Sequence, residues 1–253
     1  MKPEDHKITS SIVSDEQAKN RKDLLDLFKN NPLPEAELMR NPGLFLNPAD
    51  LRKFLFMNDL YQRNKNIHGL IMEFGVRWGQ NLALFQSLRS IYEPYNYSRR
   101  IVGFDTWEGF PSVHEKDGKS SSVKEGGYSV SKNYEQFLEK LLVAQEKESP
   151  LGHMKKFELI KGDASIELEK YLKAHPETII SLAYFDFDIY EPTKKCLELI
   201  KPHLTKGSVL AFDELNQPLF PGETVALREV FGLDKFSIQR SPYSHYQSFA
   251  IVE

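Results

Sequence analysis

Five apolar stretches of this chain each run straight into a carboxylate. They are Leu70-Ile-Met-Glu73, Ile101-Val-Gly-Phe-Asp105, Phe157-Glu-Leu-Ile-Lys-Gly-Asp163, Ile179-Ile-Ser-Leu-Ala-Tyr-Phe-Asp186 and Val209-Leu-Ala-Phe-Asp213. Short apolar runs bounded by turn residues read as strands buried on both faces, as in a parallel sheet. Helical periodicity fills the gaps, near 79–92, 132–147, 165–174, 192–203 and 222–231. Two further β-rich runs, 235–240 and 246–252, flank Ser241-Pro-Tyr-Ser-His and read as a terminal antiparallel hairpin. The fold class is therefore α/β, a seven-stranded mostly parallel sheet flanked by helices. In such a sheet the carboxyl ends of the strands share one rim, and ligands bind there. Five acids on one rim repel one another unless a ligand compensates them.

Residues 1–66 read as a helical N-terminal extension, suited to a lid or a dimer contact, and 67–253 as the α/β domain. The segment 111–130 is polar and rich in Gly and Ser, the composition of a mobile loop, and a long loop on a ligand rim is often a lid. Nothing suggests a nucleic-acid partner: the net charge is −3 and no Lys/Arg stripe stands out. No apolar run approaches the roughly 18 residues that span a membrane. The start, Met1-Lys-Pro-Glu-Asp-His-Lys, is too polar for a signal peptide, and the one cysteine, Cys196, allows no internal disulfide. The chain reads as cytoplasmic, with Cys196 on the apolar face of a helix as packing.

The first rim acid heads Glu73-Phe-Gly75-Val-Arg77-Trp-Gly79 at a strand-to-helix turn. A dinucleotide site would want Gly-x-Gly-x-x-Gly so that pyrophosphate can sit on the helix N-terminus. Here two bulky residues separate the glycines and a carboxylate stands in front, which favours a cationic nucleoside without pyrophosphate. S-adenosylmethionine meets that description. Asp105 can accept from ribose hydroxyls, and Asp163 from an exocyclic adenine amine. For both the competing reading is a helix N-cap; a helix follows Asp163 directly, and none clearly follows Asp105. Asp186-Phe-Asp188 and Asp213-Glu214 end neighbouring strands, and converging carboxylate oxygens suit a hard divalent cation, Mg²⁺ first. Such a cation lowers the pKa of an alcohol, and a carboxylate beside it can take the proton. The competing reading for Asp188 and Glu214 is a pair of solvated rim residues.

Ile71-Met-Glu-Phe-Gly-Val-Arg-Trp-Gly, Gly103-Phe-Asp-Thr-Trp-Glu-Gly-Phe-Pro, Phe185-Asp-Phe-Asp-Ile-Tyr-Glu-Pro-Thr and the Asp213-Glu214 pair resemble the macrocin/mycinamicin-type sugar O-methyltransferases. The likeness covers roughly residues 68–232. It implies a class I fold, S-adenosylmethionine and Mg²⁺ as cofactors, and a sugar hydroxyl in a glycan or glycosylated natural product as acceptor. It assigns the metal to Asp186, Asp213 and Glu214, with Asp186 also the candidate base. It assigns the cofactor to Glu73, Gly75, Asp105 and Asp163, together with their turn neighbours Arg77, Gly79, Asn81, Thr106, Trp107 and Ala164. The family pattern has Asp-Asp where this chain has Asp213-Glu214, so one ligand is a methylene longer. His245, between Tyr243 and Tyr246, is a second candidate base or acceptor contact. The rival readings are a catechol-type O-methyltransferase and a non-catalytic protein on the same fold. A homodimer is a further expectation.

Overall fold

The computed structural model describes residues 14–120 and 122–253. The reading of the polar start Met1–Lys7 lies outside the described residues. The chain forms two compact units, 1–53 and 54–253. In the first, α1 (Asp15–Lys29) begins with a capping box: Ser14 Oγ accepts from the Gln17 N–H while Gln17 Oε1 accepts from the Ser14 N–H. A short α2 (Glu35–Arg40) follows. The Phe28 and Phe45 rings meet edge to face with centroids 5.0 Å apart. Helix α3 (Pro48–Asn64) starts in this unit and ends in the next.

The larger unit alternates strand and helix: β1 (Leu70–Phe74), α4 (Gln80–Tyr92), β2 (Ile101–Asp105), α5 (Tyr134–Lys147), β3 (Phe157–Lys161), α6 (Ala164–Ala174), β4 (Ile180–Phe185), α7 (Tyr190–Ile200), β5 (Leu204–Phe212), α8 (Gly222–Val230), β6 (Gln239–Arg240) and β7 (Ser248–Ile251). The sheet order is β3-β2-β1-β4-β5-β7-β6. The first five strands are mutually parallel, and β7 and β6 are antiparallel, as the terminal hairpin predicts. The sheet is thus seven-stranded and mixed, with helices on both faces.

Both faces are covered, which is why the central strands are apolar without alternation. On one face Phe74, Phe104, Phe185 and Phe212 pack with Leu168 of α6, Leu197 of α7 and Leu227 of α8. On the other, Ile71, Leu182 and Ala211 pack with Met57 and Tyr61 of α3, Phe85 of α4 and Leu138 of α5. Phe74, Phe185, Phe104 and Phe212 occupy matching registers, and their rings stack across the sheet at 4.7–5.3 Å. Cys196 is fully buried in this layer. Burial pushes its thiol up, as suits a packing residue.

From β1 the chain builds outward to β3, then returns to lay β4 on the other side of β1. The strand order reverses there, and in an open parallel sheet the crevice that takes a ligand lies at such a switch point, here between the carboxyl ends of β1 and β4. Backbone pairing continues one step past the strands: the N–H of Gly75 donates to Phe104 O, that of Asp186 to Phe74 O, and that of Asp213 to Phe185 O, at 2.8–3.0 Å. The rim acids are therefore held in register by the sheet itself. Among the described residues no helix is long and apolar enough to cross a membrane.

Candidate active site

The turn after β1 and the end of β2 interlock. Arg77 lies in the left-handed region at φ 48°. This points its N–H at Asp105 Oδ2 (2.7 Å), while Asp105 Oδ1 accepts from the Trp107 N–H (2.5 Å). The Trp107 indole N–H donates back to Arg77 O at 3.0 Å. Asp105 thus caps no helix. Burial pushes its carboxyl above the usual range even though backbone N–H groups favour the charged form. The backbone N–H of Val76 also faces this carboxylate, which with about four acceptor sites keeps capacity for a ribose hydroxyl. Glu73 is fully buried, and Asn81 Nδ2 donates to its Oε1 at 3.0 Å. Asn81 Oδ1 and Arg77 Nε are buried without a hydrogen-bond partner. An acceptor left open on Asn81, next to the buried Glu73 carboxylate, fits the cationic end of a bound ligand, and the open Arg77 N–H fits an acceptor on it; both support placing a polar cofactor here.

The two glycines of this turn serve packing. A Cβ on Gly75 (φ 93°) would collide with the carbonyl oxygen of Asp186, so Gly75 lets the β1 and β4 turns close on each other. A Cβ on Gly79 (φ 79°) would run into the Leu138 side chain of α5. Asp163 does cap α6: its Oδ1 accepts from the Ser165 N–H (2.9 Å) and hydroxyl (2.6 Å), and Ala164 is the first, buried residue of the helix. Thr106 bonds its own loop, its hydroxyl donating to Gly109 O at 2.8 Å.

Across the crevice five acids crowd together: Asp186, Asp188, Asp213, Glu214 and, from α8, Glu223. Burial pushes Asp188 and Glu214 well above the carboxylate range, and their negative neighbours add to it. Asp188 also lies in the left-handed region, at φ 62°, a conformation costly for a residue other than glycine and common at functional turns. Glu214 Oε2 is buried without a hydrogen-bond partner. Asp213 Oδ1 accepts from the Tyr184 hydroxyl and from Gln247 Nε2, both at 2.6 Å. Glu223 is fully buried and grips two turns, its Oε1 accepting the Phe187 N–H (3.2 Å) and its Oε2 the Glu214 N–H (3.3 Å). The donor set is all oxygen and carries excess negative charge, which is the chemistry of a hard divalent cation. Among the described residues, no three His, Cys, Asp or Glu side chains converge as they stand into a group that holds a metal.

The 111–130 segment, for which composition predicts mobility, is tied down at several points. Asp117 is buried and accepts from the Tyr190 N–H at the start of α7 (2.5 Å) and from the His114 N–H (2.6 Å). Lys116 pairs with Glu229 of α8 at 2.7 Å. Phe110 and Gly127 pair backbones, and Arg77 lies over the Tyr128 ring, 4.8 Å from its centroid. Burial raises the Tyr128 phenol, and the charges of Asp188 and Glu214 raise it further. The segment therefore reaches both the cofactor turn and the acid rim. His245 packs edge-on against Tyr246 at 4.3 Å, and it is Gln247, two residues on, that touches a rim acid. Sequence reasoning missed Glu223, Asp117 and Gln247.

A family model described as a methyltransferase domain matches residues 72–215, which span the strands that carry all five acids of the opening pattern. The chain belongs to this methyltransferase family. Two solved structures agree over nearly its whole length. CalS11, a calicheamicin methyltransferase, is 42% identical over 94% of this chain and 93% of that one, with a TM-score of 0.92. The apo structure of CalS11, described as a TDP-rhamnose 3'-O-methyltransferase, gives 40% identity over 94% and 95%, with a TM-score of 0.83. The O-methyltransferase NovP, 16% identical with a TM-score of 0.58, shares the fold. No curated protein sequence matches the chain. The protein is an S-adenosylmethionine-dependent O-methyltransferase.

Proposed function

We propose that this methyltransferase moves the methyl group of S-adenosylmethionine to a hydroxyl of a sugar, with the sugar presented on a nucleotide carrier, and that a divalent cation takes part. The observation that carries the reading is the pairing of a cofactor turn with a crowded acid rim across one crevice. The sugar and its carrier come from CalS11, whose described substrate is TDP-rhamnose.

Glu73 and Asn81 bind the amino-acid end of the cofactor, Asp105 the ribose hydroxyls, and Asp163 the adenine side. Arg77, Thr106, Trp107 and Ala164 shape the walls, and Gly75 and Gly79 allow the close packing behind them. The cofactor supplies an electrophilic methyl on a positively charged sulfur. Asp186, Asp213 and Glu214 are the residues that would hold a Mg²⁺ ion, with Glu214 Oε2 the oxygen left open for it. When bound, the ion lowers the pKa of an alcohol and cancels the repulsion among the acids. Asp186 takes the proton from the acceptor hydroxyl onto its carboxylate, and the rim fixes the oxygen in line with the methyl.

The test gives the enzyme S-adenosylmethionine with either a TDP-deoxysugar or a catechol, with Mg²⁺ or with EDTA. A methylated sugar nucleotide in the Mg²⁺ arm alone is the expected product by mass spectrometry. Methylation of the catechol but not the sugar nucleotide overturns the acceptor assignment, and full activity in EDTA overturns the metal.

A further inference from the structure

The turn that carries Asp186 and Asp188 is gripped on both sides by buried carboxylates that face no solvent. Glu223, fully buried at the start of α8, accepts the Phe187 N–H with one oxygen and the Glu214 N–H with the other. One side chain thereby ties the turn after β4 to the turn after β5. Asp117, 1% exposed on the long loop, accepts the Tyr190 N–H with one oxygen and the His114 N–H with the other. It ties the far end of the same turn to the loop that reaches Arg77. The packing leaves no slack: a Cβ on Gly222, beside Glu223, would lie 2.7 Å from Tyr190 N and 3.1 Å from Asp117 Oδ1. Buried acids are costly, and backbone amides can be satisfied by neutral acceptors, so stability alone does not favour this choice.

We infer that Glu223 and Asp117 are positioning residues that fix the spacing of Asp186, Asp213 and Glu214. Neither touches a reactant. Each acts through backbone N–H groups of the turns that carry the rim acids, and each carboxylate alone offers two acceptors at the separation those turns need. The inference rests on the acceptor site proposed above.

Glu223→Gln and Asp117→Asn keep size but turn one acceptor into a donor, which then faces a backbone N–H. They are measured beside Glu229→Gln, whose carboxylate on the same α8 holds Lys116, Lys194 and the Tyr190 hydroxyl and no turn backbone. Glu223→Gln is expected to lower kcat about a hundredfold, the scale of a misplacement near 1 Å, with Asp117→Asn following in the same direction. The Mg²⁺ concentration giving half the thermal shift should rise about tenfold, with affinity for S-adenosylhomocysteine nearly unchanged and Glu229→Gln near wild type in all three. Wild-type kcat and Mg²⁺ response in both folded variants overturn the inference. So does a loss of S-adenosylhomocysteine affinity in step with kcat, which marks a general structural role, or failure of both variants to fold. If the wild type methylates catechol instead of the sugar nucleotide, the proposed acceptor falls and kcat is read on catechol. If Mg²⁺ shifts nothing in the wild type, the metal falls and kcat decides. If neither acceptor is methylated, the Mg²⁺ response decides.

Discussion

At the ends of β1 and β2 the acids are met by donors of this chain, while at the ends of β4 and β5 they crowd one another, even though Asp213 also accepts from Tyr184 and Gln247. Asp105 accepts backbone N–H groups, those of Arg77 and Trp107 among them, and Glu73 an amide N–H from Asn81. For Asp105 the pressure toward protonation is burial. Asp188 and Glu214 carry the added pressure of neighbouring negative charge, and Glu214 has an oxygen with no hydrogen-bond partner. One half of the rim is built to receive a neutral or singly charged group with many hydrogen bonds. The other half is built around a deficit of positive charge. Two regions that are neighbours across the β1–β4 pairing therefore make different demands on a ligand, and carboxylates serve both.

The largest effects should separate the halves. Asp186→Asn removes the proposed base and one proposed metal ligand, and is expected to cost about a thousandfold in kcat, within the range of positioned acid–base catalysis. Calorimetry should show S-adenosylhomocysteine binding nearly as before. An equal loss of cofactor affinity would erase the division between the halves.

Next comes Glu73→Gln. Exchanging a buried acceptor of charged donors for an amide should weaken S-adenosylhomocysteine binding by about ten- to a hundredfold, the scale of one charge-assisted hydrogen bond. The response to Mg²⁺ should stay that of the wild type. A change in that response would show that the halves communicate through Gly75, where the two turns touch.

A smaller effect concerns pH. Burial and negative neighbours raise Asp188 to about 8 and Glu214 to about 10, so near neutral pH these two favour keeping protons that the unfolded chain has already released. The native state then binds more protons than the unfolded one, so stability falls as pH rises. In EDTA, Tm should drop by a few degrees between about pH 6 and about pH 8, and Mg²⁺ should remove most of the drop. A flat or rising Tm in EDTA would mean that the acid rim is not under charge stress.

The five strands and their terminal acids were legible because buried parallel strands leave unbroken apolar runs, and an acid that ends such a run has little reason to be there except the rim. The cap at Asp163 was legible too, since Ala-Ser-Ile-Glu-Leu opens a helix directly after it. What the glycines do was only half legible. Their turn could be read, but Gly79 answers to Leu138, about sixty positions on, and Gly75 to the backbone of Asp186. Glu223 and Asp117 were invisible for a related reason. An acid in the first turn of a helix or in a polar loop reads as solvated surface, and the backbone N–H groups these two hold lie far away in sequence. Gln247 reads as an ordinary strand residue, which is why His245, the chemically louder neighbour, stood out in its place.

The claim that the β4–β5 half awaits a cation can be measured without any acceptor. Mg²⁺ is titrated into the enzyme bound to S-adenosylhomocysteine, in two buffers of different ionisation enthalpy near neutral pH. A cation that occupies protonated carboxylates must displace their protons. The account predicts saturable binding with proton release, both abolished in Asp213→Asn. Binding without proton release, or no binding at millimolar Mg²⁺, would contradict it.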